Sequence, residues 1–258
     1  MRCWNVFHGN TSPPHARGHL EAMVRLAATG APAAVCLQEV PVWALGRLGV
    51  WSAMTAIGDV AQRPRAGPIP IGAALGRAIT ALDHGRLRSA FTGQANAILL
   101  DARLRVLERH ALTLNPLRFR RLQARRLRLD LLERLAWGKE RRVCQVVRVR
   151  RPEGTTLVLA NLHATNNARL AAAEVARAAA HLDAVAERDE VVVLAGDFNL
   201  RPALEEWGYS SAGEGIDHVL VRGAAAAPPE RWPEERRRDR DGRLLSDHAP
   251  VDVEVQLA

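Results

Sequence analysis

Apolar residues along the chain follow two alternating spacings, one typical of strands and one typical of helices. Short apolar runs predict strands near residues 2–7, 33–37, 51–57, 95–100, 104–112, 142–150, 156–162, 191–195, 216–221 and 250–257. Apolar residues three or four positions apart predict helices at 15–28, after Pro41, and at 73–82, 117–137 and 166–187. Segment 62–72, with three prolines and two glycines, predicts a loop. This alternation over 258 residues indicates a single α/β domain covering residues 1–258.

One apolar run ends abruptly at polar residues. Its five apolar residues, 191–195, predict a strand buried on both faces, at the centre of a sheet. Gly196 permits a tight turn, and Asp197 and Asn199 follow with one residue between them, so their side chains point the same way. A carboxylate and a carboxamide at such a strand end suit a hard cation, or a water aligned on a phosphoryl group. An Asx turn is the alternative interpretation.

Polar residues stand in or beside other apolar runs as well. They are Asn5, Glu39, Asn96, His163, Asp217, His218, Asp247 and His248. Each one alone is explained by an exposed strand position, a surface carboxylate, a core histidine or a turn cap. Together they favour a functional site, because buried carboxylates are costly unless they are paired or bound to metal. Open α/β sheets also place their sites at the carboxyl ends of strands.

The net charge of +8 is unevenly distributed. Segment 116–151 has thirteen basic and three acidic residues, a net charge of +10, which leaves −2 for the rest of the chain. Such a segment is typical of a surface that binds a polyanion such as nucleic acid; the alternative is a solvated helix face in a chain generally rich in arginine. No apolar stretch approaches the ~20 residues of a membrane-spanning helix. The N-terminus predicts a strand and no signal peptide, and the three cysteines predict reduced core thiols, so we expect a cytoplasmic protein.

Seven short blocks of the sequence resemble the endonuclease/exonuclease/phosphatase superfamily, which includes deoxyribonuclease I, the exonuclease III type of abasic-site endonucleases, inositol-polyphosphate 5-phosphatases and neutral sphingomyelinases. In chain order the blocks are Trp4-Asn5-Val6, Leu37-Gln38-Glu39-Val40, Ala95-Asn96-Ala97-Ile98-Leu99, Asn161-Leu162-His163, Gly196-Asp197-Phe198-Asn199, Ile216-Asp217-His218-Val219 and Ser246-Asp247-His248-Ala249-Pro250. The resemblance implies a four-layer α/β sandwich, with two mixed sheets packed face to face and helices outside. It also implies cleavage of a phosphoester by an activated water with a divalent metal, Mg²⁺ or alternatively Mn²⁺.

The resemblance further implies a role for each candidate residue. Glu39 would be the principal metal ligand, with Asn5 and Asp247 near or on the metal. Asp197 and Asn199 would orient and deprotonate the attacking water. His163 and His248 would contact the scissile phosphate, and Asn96 would contact the substrate. Asp217, ranked above its neighbour His218, would orient a histidine or the leaving group.

Three departures from the family pattern leave the subfamily open. Asn96 stands where deoxyribonuclease I has a glutamate that partners its first histidine, although other branches of the family carry asparagine there. Val40 and Pro41 stand where abasic-site endonucleases usually carry lysine. Leu100 and Asp101 stand where many relatives have serine and arginine, so a phosphate-binding arginine would come from elsewhere, for example from segment 116–151. The leading hypothesis is a monomeric nuclease acting on DNA or RNA, without stable membrane insertion. The alternatives are a hydrolase of a small or lipid phosphoester, and an inactive binding module.

Overall fold

A computed structural model of the chain describes residues 1–201, 207–210 and 215–257. The longer strands are β1 (Arg2–Asn5), β3 (Ala34–Val40), β4 (Thr55–Gln62), β7 (Gln94–Leu100), β8 (Arg105–Thr113), β9 (Val143–Arg150), β10 (Thr156–His163), β11 (Val191–Asp197) and β12 (Asp217–Arg222). Two-residue strands are β2 (Thr11–Ser12), β5 (Arg65–Ala66), β6 (Ile69–Pro70), β13 (Ala225–Ala226), β14 (Glu230–Arg231), β15 (Leu244–Leu245), β16 (Val251–Asp252) and β17 (Val255–Gln256). The α-helices are α1 (Leu20–Ala27), α2 (Leu48–Ser52), α3 (Ala73–Thr80), α4 (His84–Leu87), α5 (Leu117–Arg126), α6 (Leu131–Lys139) and α7 (Ala168–Val185). Short 3₁₀ helices cover Phe7–Gly9, Val42–Arg47 and Glu235–Arg237.

Two large mixed sheets dominate the described residues. The first has the strand order β14-β16-β1-β3-β7-β4, in which β1 and β3 run parallel and the other neighbours antiparallel. The second has the order β12-β11-β10-β9-β8, in which β10 and β11 run parallel. The expectation that the strand before Asp197 is central is therefore wrong. The central strand is β10, because β11 and β12 lie on one side of it and β9 and β8 lie on the other.

The core lies in three apolar layers. Between the sheets, residues such as Cys36 and Ile98 of the first sheet pack against Leu159 and Val193 of the second. Outside the first sheet lie α1 and α2, and outside the second lies α7. The order is helices, sheet, sheet, helix, so the predicted four-layer α/β sandwich is confirmed. The three cysteines are buried and form no disulfide within this described fold.

A buried polar network crosses the interface between the sheets. Asn161 of β10 donates hydrogen bonds to the carbonyl oxygens of Leu37 and Ala97, both at 3.0 Å, and accepts one from Gln38 at 2.6 Å. All three partners belong to the first sheet. Because a buried amide is stable only when its hydrogen bonds are made, this network favours a single register between the two sheets.

Several predicted boundaries are wrong for local reasons. The helix predicted at 117–137 is two helices, because Arg128 has a left-handed backbone with φ of 52° and Asp130 begins α6 with a capping box to Glu133. The strand predicted at 51–57 begins later, at Thr55, because α2 continues to Ser52. The last predicted strand is split into β16 and β17. In the described residues, no helix is both long and apolar enough to cross a membrane.

Candidate active site

Strand register brings three of the predicted residues side by side. Asp197 at the end of β11 is paired with His163 of β10 on one side and with Asp217 of β12 on the other. In the first sheet, Asn5 of β1 is paired with Gln38 of β3, next to Glu39. Each sheet thus contributes one cluster of polar residues at the same end of the sandwich.

A cleft of about 430 Å³ opens at this end of the sandwich. It is lined by Phe7, His8, Glu39, Arg88, Ser89, Gln94, Glu140, Arg142, His163, Asn166, Asp197, Asn199, Asp247 and His248. Six of the predicted site residues are in this set. Asn5 and Asp217 are buried directly behind them, whereas Asn96 lies elsewhere.

Glu39 reaches the cleft because β3 is irregular at this point. The pairing of β3 with β7 shifts between Leu37 and Val40, and Glu39 has a left-handed backbone with φ of 55°. A bulge of this kind re-aims a side chain, and a strained non-glycine backbone is typical of functional positions. Gln38 therefore points between the sheets while Glu39 points into the cleft. Burial raises the pKa of the Glu39 carboxyl.

Two neutral groups hold the Glu39 carboxylate. The Asn5 amide donates to it at 3.3 Å and also donates to Asp197 at 3.0 Å, so Asn5 joins the two clusters. His8 Nε2 lies 3.2 Å from the other oxygen of Glu39. Burial, with a smaller contribution from Arg88, lowers the pKa of His8 to about 4, so its ring is neutral near pH 7. The sequence reasoning missed His8, although its position just after β1 was a signal.

The Asp197 carboxylate has polar contacts with residues of both sheets. Its carboxylate accepts hydrogen bonds from the Asn5 amide and from the backbone N–H of Asn199, and lies 3.5 Å from His163 Nε2 and 3.8 Å from His248 Nε2. Burial and then the nearby charge of Asp217 raise its pKa to about 7. A carboxylate in this position can accept a proton from a water molecule in the cleft.

The bond from the Asn199 backbone to Asp197 is an Asx turn, the alternative that was considered for this sequence. The Asn199 backbone is left-handed, with φ of 52°, and its side-chain amide donates to the carbonyl of Ala164. Gly196 does not make the turn, because β11 continues through it. A Cβ at Gly196 would lie 2.1 Å from the carbonyl oxygen of Leu162, so glycine is required for the close approach of β10 and β11.

His248 is held by a buried carboxylate. Its Nδ1 lies 2.9 Å from both oxygens of Asp217, so this carboxylate fixes the orientation of the His248 ring. Burial opposes protonation of the ring, but the hydrogen bond and charge of Asp217 outweigh it and raise the pKa of His248 to about 9. The neighbouring His218 is fully buried and contacts the carbonyl of Leu200, outside the cleft. This agrees with ranking Asp217 above His218.

The pKa of His163 is shifted in the opposite direction to that of His248. Burial, with the positive charges of Arg142 and His248, lowers its pKa well below the ordinary value of 6.5. The Gln94 amide donates to Nδ1 at 2.6 Å. The hydrogen-bond network therefore assigns the ring proton to Nε2, the atom that faces Asp197 and the cleft. Gln94 was not predicted; its position at the start of the apolar run of β7 was the signal available.

The prediction that Asn96 contacts the substrate does not agree with its position. Asn96 is buried between the sheets and donates its amide hydrogen to the carbonyl of Val143 at 3.0 Å. It does not line the cleft. Asn96 is on the face of β7 that meets the second sheet, as Gln94 is, but it lies two residues farther from the end of the strand at which the cleft opens.

Arg142 lines the cleft just before β9 and comes from segment 116–151. Its guanidinium is buried and donates to Glu140 at 2.7 Å. Its Nε and Nη1 atoms have no hydrogen-bond partner in the part of the chain that the structure describes. Buried N–H groups of this kind are rare, and they are suited to a phosphate oxygen. The sequence indicated segment 116–151 as a source of a phosphate-binding arginine and distinguished none of its twelve arginines.

The donors of the cleft fit a divalent cation such as Mg²⁺. Glu39, Asp197 and Asp247 provide carboxylate oxygens, and the groups nearest to Glu39 are neutral. Burial is the main cause that raises the pKa of Glu39 and Asp197, so the ionised forms of both carboxyls have lost stabilisation by water. An oxygen-coordinated cation would stabilise those ionised forms. Asp197, Asp217 and His248 also have ligand atoms within 4.8 Å of one another, but the direct bond between Asp217 and His248 occupies two of those groups.

The sandwich fold, together with a cleft of carboxylates, histidines and an arginine, defines the class of metal-dependent phosphoester hydrolases. The chain belongs to the Endonuclease/Exonuclease/phosphatase family, which residues 3–248 match. The resemblance noted in the sequence is thereby confirmed.

Solved structures of low sequence identity share the fold. A functionally unknown conserved protein from Enterococcus faecalis V583 has a TM-score of 0.65 and 16% identity, with 99% of each chain covered. The mannosyl-6-phosphatase Bt3783 of Bacteroides thetaiotaomicron VPI-5482 has a TM-score of 0.60 and 12% identity, with 99% of this chain and 98% of that chain covered. TDP2 of D. rerio, complexed with single strand DNA product, has a TM-score of 0.60 and 14% identity, with 97% and 95% covered. No curated protein matches the sequence significantly.

Proposed function

We propose that the protein hydrolyses a phosphodiester by direct attack of a water molecule, with Mg²⁺ as the divalent metal and Mn²⁺ as a substitute. The main support for this proposal is strand pairing: it places His163, Asp197 and Asp217 side by side at one end of the second sheet. Glu39 faces them from the first sheet. The protein would act as a monomer in the cytoplasm.

The residues of the cleft divide the chemistry between them. Glu39, with Asn5 and Asp247, would hold the metal, which when bound would neutralise charge on the phosphate. Asp197 would accept a proton from the attacking water, and Asn199 would help to orient that water. Because the pair of Asp197 and Asn199 is fixed by an Asx turn, the water would meet a preorganised acceptor.

Three further groups would contact the phosphate. His248, oriented by Asp217, would donate a hydrogen bond from Nε2 to a phosphate oxygen, and His163 would donate from its own Nε2. Arg142 would present its unpaired N–H groups to a second oxygen. Donors fixed in this way stabilise the negative charge that develops in the transition state.

A DNA or RNA strand is the leading substrate. Segment 116–151 carries most of the basic excess of the chain and supplies Arg142 to the cleft, so phosphates on either side of the scissile bond would also find positive charge nearby. The second candidate is the phosphodiester of a lipid or of a small molecule. It is favoured by leucines that are exposed on α5 and α6, close to the cleft.

A panel of substrates tests the proposal. Labelled single- and double-stranded DNA, RNA, a phosphocholine lipid and a small chromogenic phosphodiester are incubated with Mg²⁺, with Mn²⁺ and with EDTA. We expect turnover that EDTA abolishes, and that Glu39→Ala and Asp197→Ala each reduce by about a thousandfold or more. His248→Ala should also reduce turnover, whereas the control His110→Ala, at an exposed histidine of β8, should leave turnover unchanged. Turnover that persists in EDTA or in Glu39→Ala would contradict the proposed metal site.

A further inference from the structure

We infer that the outer surface of α5 and α6 docks reversibly on an anionic lipid surface. We call this the α5–α6 surface, and it consists of the exposed side chains of residues 117–139. The inference concerns binding, so it does not depend on the proposed function.

Exposed leucines are concentrated on this surface. Nine large hydrophobic side chains are exposed in the described part of the chain, and five of them belong to α5 and α6. They are Leu117, Leu122, Leu131, Leu132 and Leu135, with exposed fractions from 52% to 76%. Single exposed leucines are ordinary on protein surfaces, but a local group of five indicates an interaction site.

Helical spacing places these leucines next to basic side chains. Leu131 and Leu132 lie four and three positions before Leu135, so each of them neighbours Leu135 on the surface of α6, and Lys139 lies one turn beyond Leu135. On α5, Leu122 lies one turn from Arg118 and one turn from Arg125. The surface thus alternates apolar side chains with positive charge.

The buried side chains of α5 and α6 hold both helices against the rest of the fold, with the five leucines on the outer surface. Phe119 and Trp137 meet edge to face, with ring centroids 6.1 Å apart, and pack with Leu170 of α7. The Trp137 indole N–H donates to buried Glu174 of α7 at 2.6 Å. These contacts fix both helices on the domain, so the leucines are held on a rigid surface and are not part of a loosely packed core.

The net charge of the surface distinguishes between three possible binding partners: a second copy of the chain, nucleic acid and an anionic bilayer. Residues 117–139 contain eight basic and two acidic residues, a net charge of +6. A second copy of the same surface would therefore be repelled. Nucleic acid would use the arginines but would leave the leucines in water. An anionic bilayer uses both, because leucine partitions below the headgroups while lysine and arginine attract anionic lipids.

The α5–α6 surface is also continuous with the cleft. A neighbouring cavity of about 560 Å³ includes Leu132 and Lys139 of α6 together with Arg142 and Asn166, and the last two also line the cleft. A lipid surface that covers α6 would therefore lie beside the entrance of the cleft.

Vesicle sedimentation with the full chain tests the inference. Vesicles of phosphatidylcholine alone are compared with vesicles containing about 30% phosphatidylserine. We expect the anionic vesicles to bind at least about tenfold more tightly, and added salt to weaken that binding. The combined variant Leu131→Ser, Leu132→Ser and Leu135→Ser should lose about tenfold or more of this affinity.

Two controls distinguish the effect of these three leucines on vesicle binding from the effect of any exposed leucine and from the effect of the basic charge. Leu82→Ser, at a leucine 81% exposed outside the α5–α6 surface, should bind vesicles like the unchanged chain. Binding of a labelled oligonucleotide is measured for the same proteins, and the triple serine variant should leave it unchanged. The inference is overturned if anionic vesicles bind no better than neutral ones, or if the triple variant binds them as tightly as the unchanged chain. Oligonucleotide binding without vesicle binding would overturn it as well, because the cleft alone could account for binding of the oligonucleotide.

Discussion

Replacing Arg142 with methionine should change activity and stability in opposite directions. Arg142 is buried beside the cleft, and its Nε and Nη1 atoms have no partner in the described chain. The methionine side chain matches the aliphatic stem of arginine and has no N–H groups, so Arg142→Met keeps the packing of the stem and removes the unpaired donors. The substitution therefore distinguishes a role of those donors in stability from a role in binding the substrate.

The expected size follows from the contacts of Arg142. A buried donor without a partner costs about 1–3 kcal/mol, so removing two of them should leave the free energy of unfolding unchanged or raise it by about 1–2 kcal/mol. The loss of the bond to Glu140 subtracts little, because that carboxylate is partly exposed. If the donors bind a phosphate oxygen in the transition state, kcat/KM should fall by about a hundredfold to a thousandfold. Arg142→Lys should recover only part of this loss, because lysine lacks the planar fork.

Arg148, a partly buried arginine of the β9 strand that follows Arg142, is the matched control. Its guanidinium lies 3.1 Å from Glu190 and 3.3 Å from Glu108 and Glu187, and it donates to the carbonyl of Val185 at 2.6 Å. Arg148→Met leaves the buried Glu190 carboxylate with the backbone N–H of Glu187 but without the positive charge of Arg148 beside it, so we expect it to lose about 3 kcal/mol of stability with kcat/KM within about twofold.

Urea unfolding followed by tryptophan fluorescence, and steady-state kinetics on a phosphodiester, measure the two effects. The reasoning is refuted if Arg142→Met lowers the free energy of unfolding by more than about 1 kcal/mol, since the guanidinium would then be structural. It is also refuted if kcat/KM stays within about threefold, because the unpaired donors would then have no part in binding the phosphate.

Three further predictions concern buried polar groups. Asn161→Ala should lower the free energy of unfolding by about 3 kcal/mol in urea titrations, because it leaves groups unpaired in both sheets; a loss under about 1 kcal/mol would contradict this. Burial favours the neutral form of Asp252, but the hydrogen bonds from Arg2 outweigh it and lower the pKa of Asp252. The contribution of this pair is therefore full above about pH 4 and is lost as the pH falls through the lowered pKa, so thermal unfolding of Asp252→Asn should depend less on pH in the acid range. Glu174→Ala should cost about 3 kcal/mol and increase iodide quenching of Trp137, whose indole N–H loses its acceptor; unchanged quenching would show that α6 stays docked without this bond.

Much of the candidate site could be predicted because its residues follow strands. Parallel neighbours such as β10 and β11 end at the same edge of a sheet, so polar residues directly after their apolar runs had to lie together. This is why His163 and Asp197 were expected to meet, and they occupy paired positions. The same rule places Asn5 near Glu39, although the bulge that turns Glu39 into the cleft left no mark in the sequence.

Other features depend on contacts between distant segments. Arg142 is one of twelve arginines in its segment, and only the packing of β9 against the cleft distinguishes it. His8 reaches Glu39 through a left-handed backbone with φ of 54°, which is uncommon outside glycine and is not encoded by a simple pattern. Asn96 was assigned to the substrate because its sequence block matches the family. It lies two residues farther than Gln94 from the end of β7 at which the cleft opens, and it is buried between the sheets.

The two halves of the cleft are held in place by the interface between the sheets. Glu39 belongs to the first sheet, and Asp197 to the second. Asn5 donates to both carboxylates, and directly beneath them Asn161 ties β10 to Leu37 and Gln38, the residues that precede Glu39. A shift of one sheet on the other would therefore break the buried network before it could separate the carboxylates. Because the proposed water positioning and metal binding would both require these carboxylates at a fixed spacing, the polar interface between the sheets would contribute to the proposed catalysis, even though it lies outside the cleft.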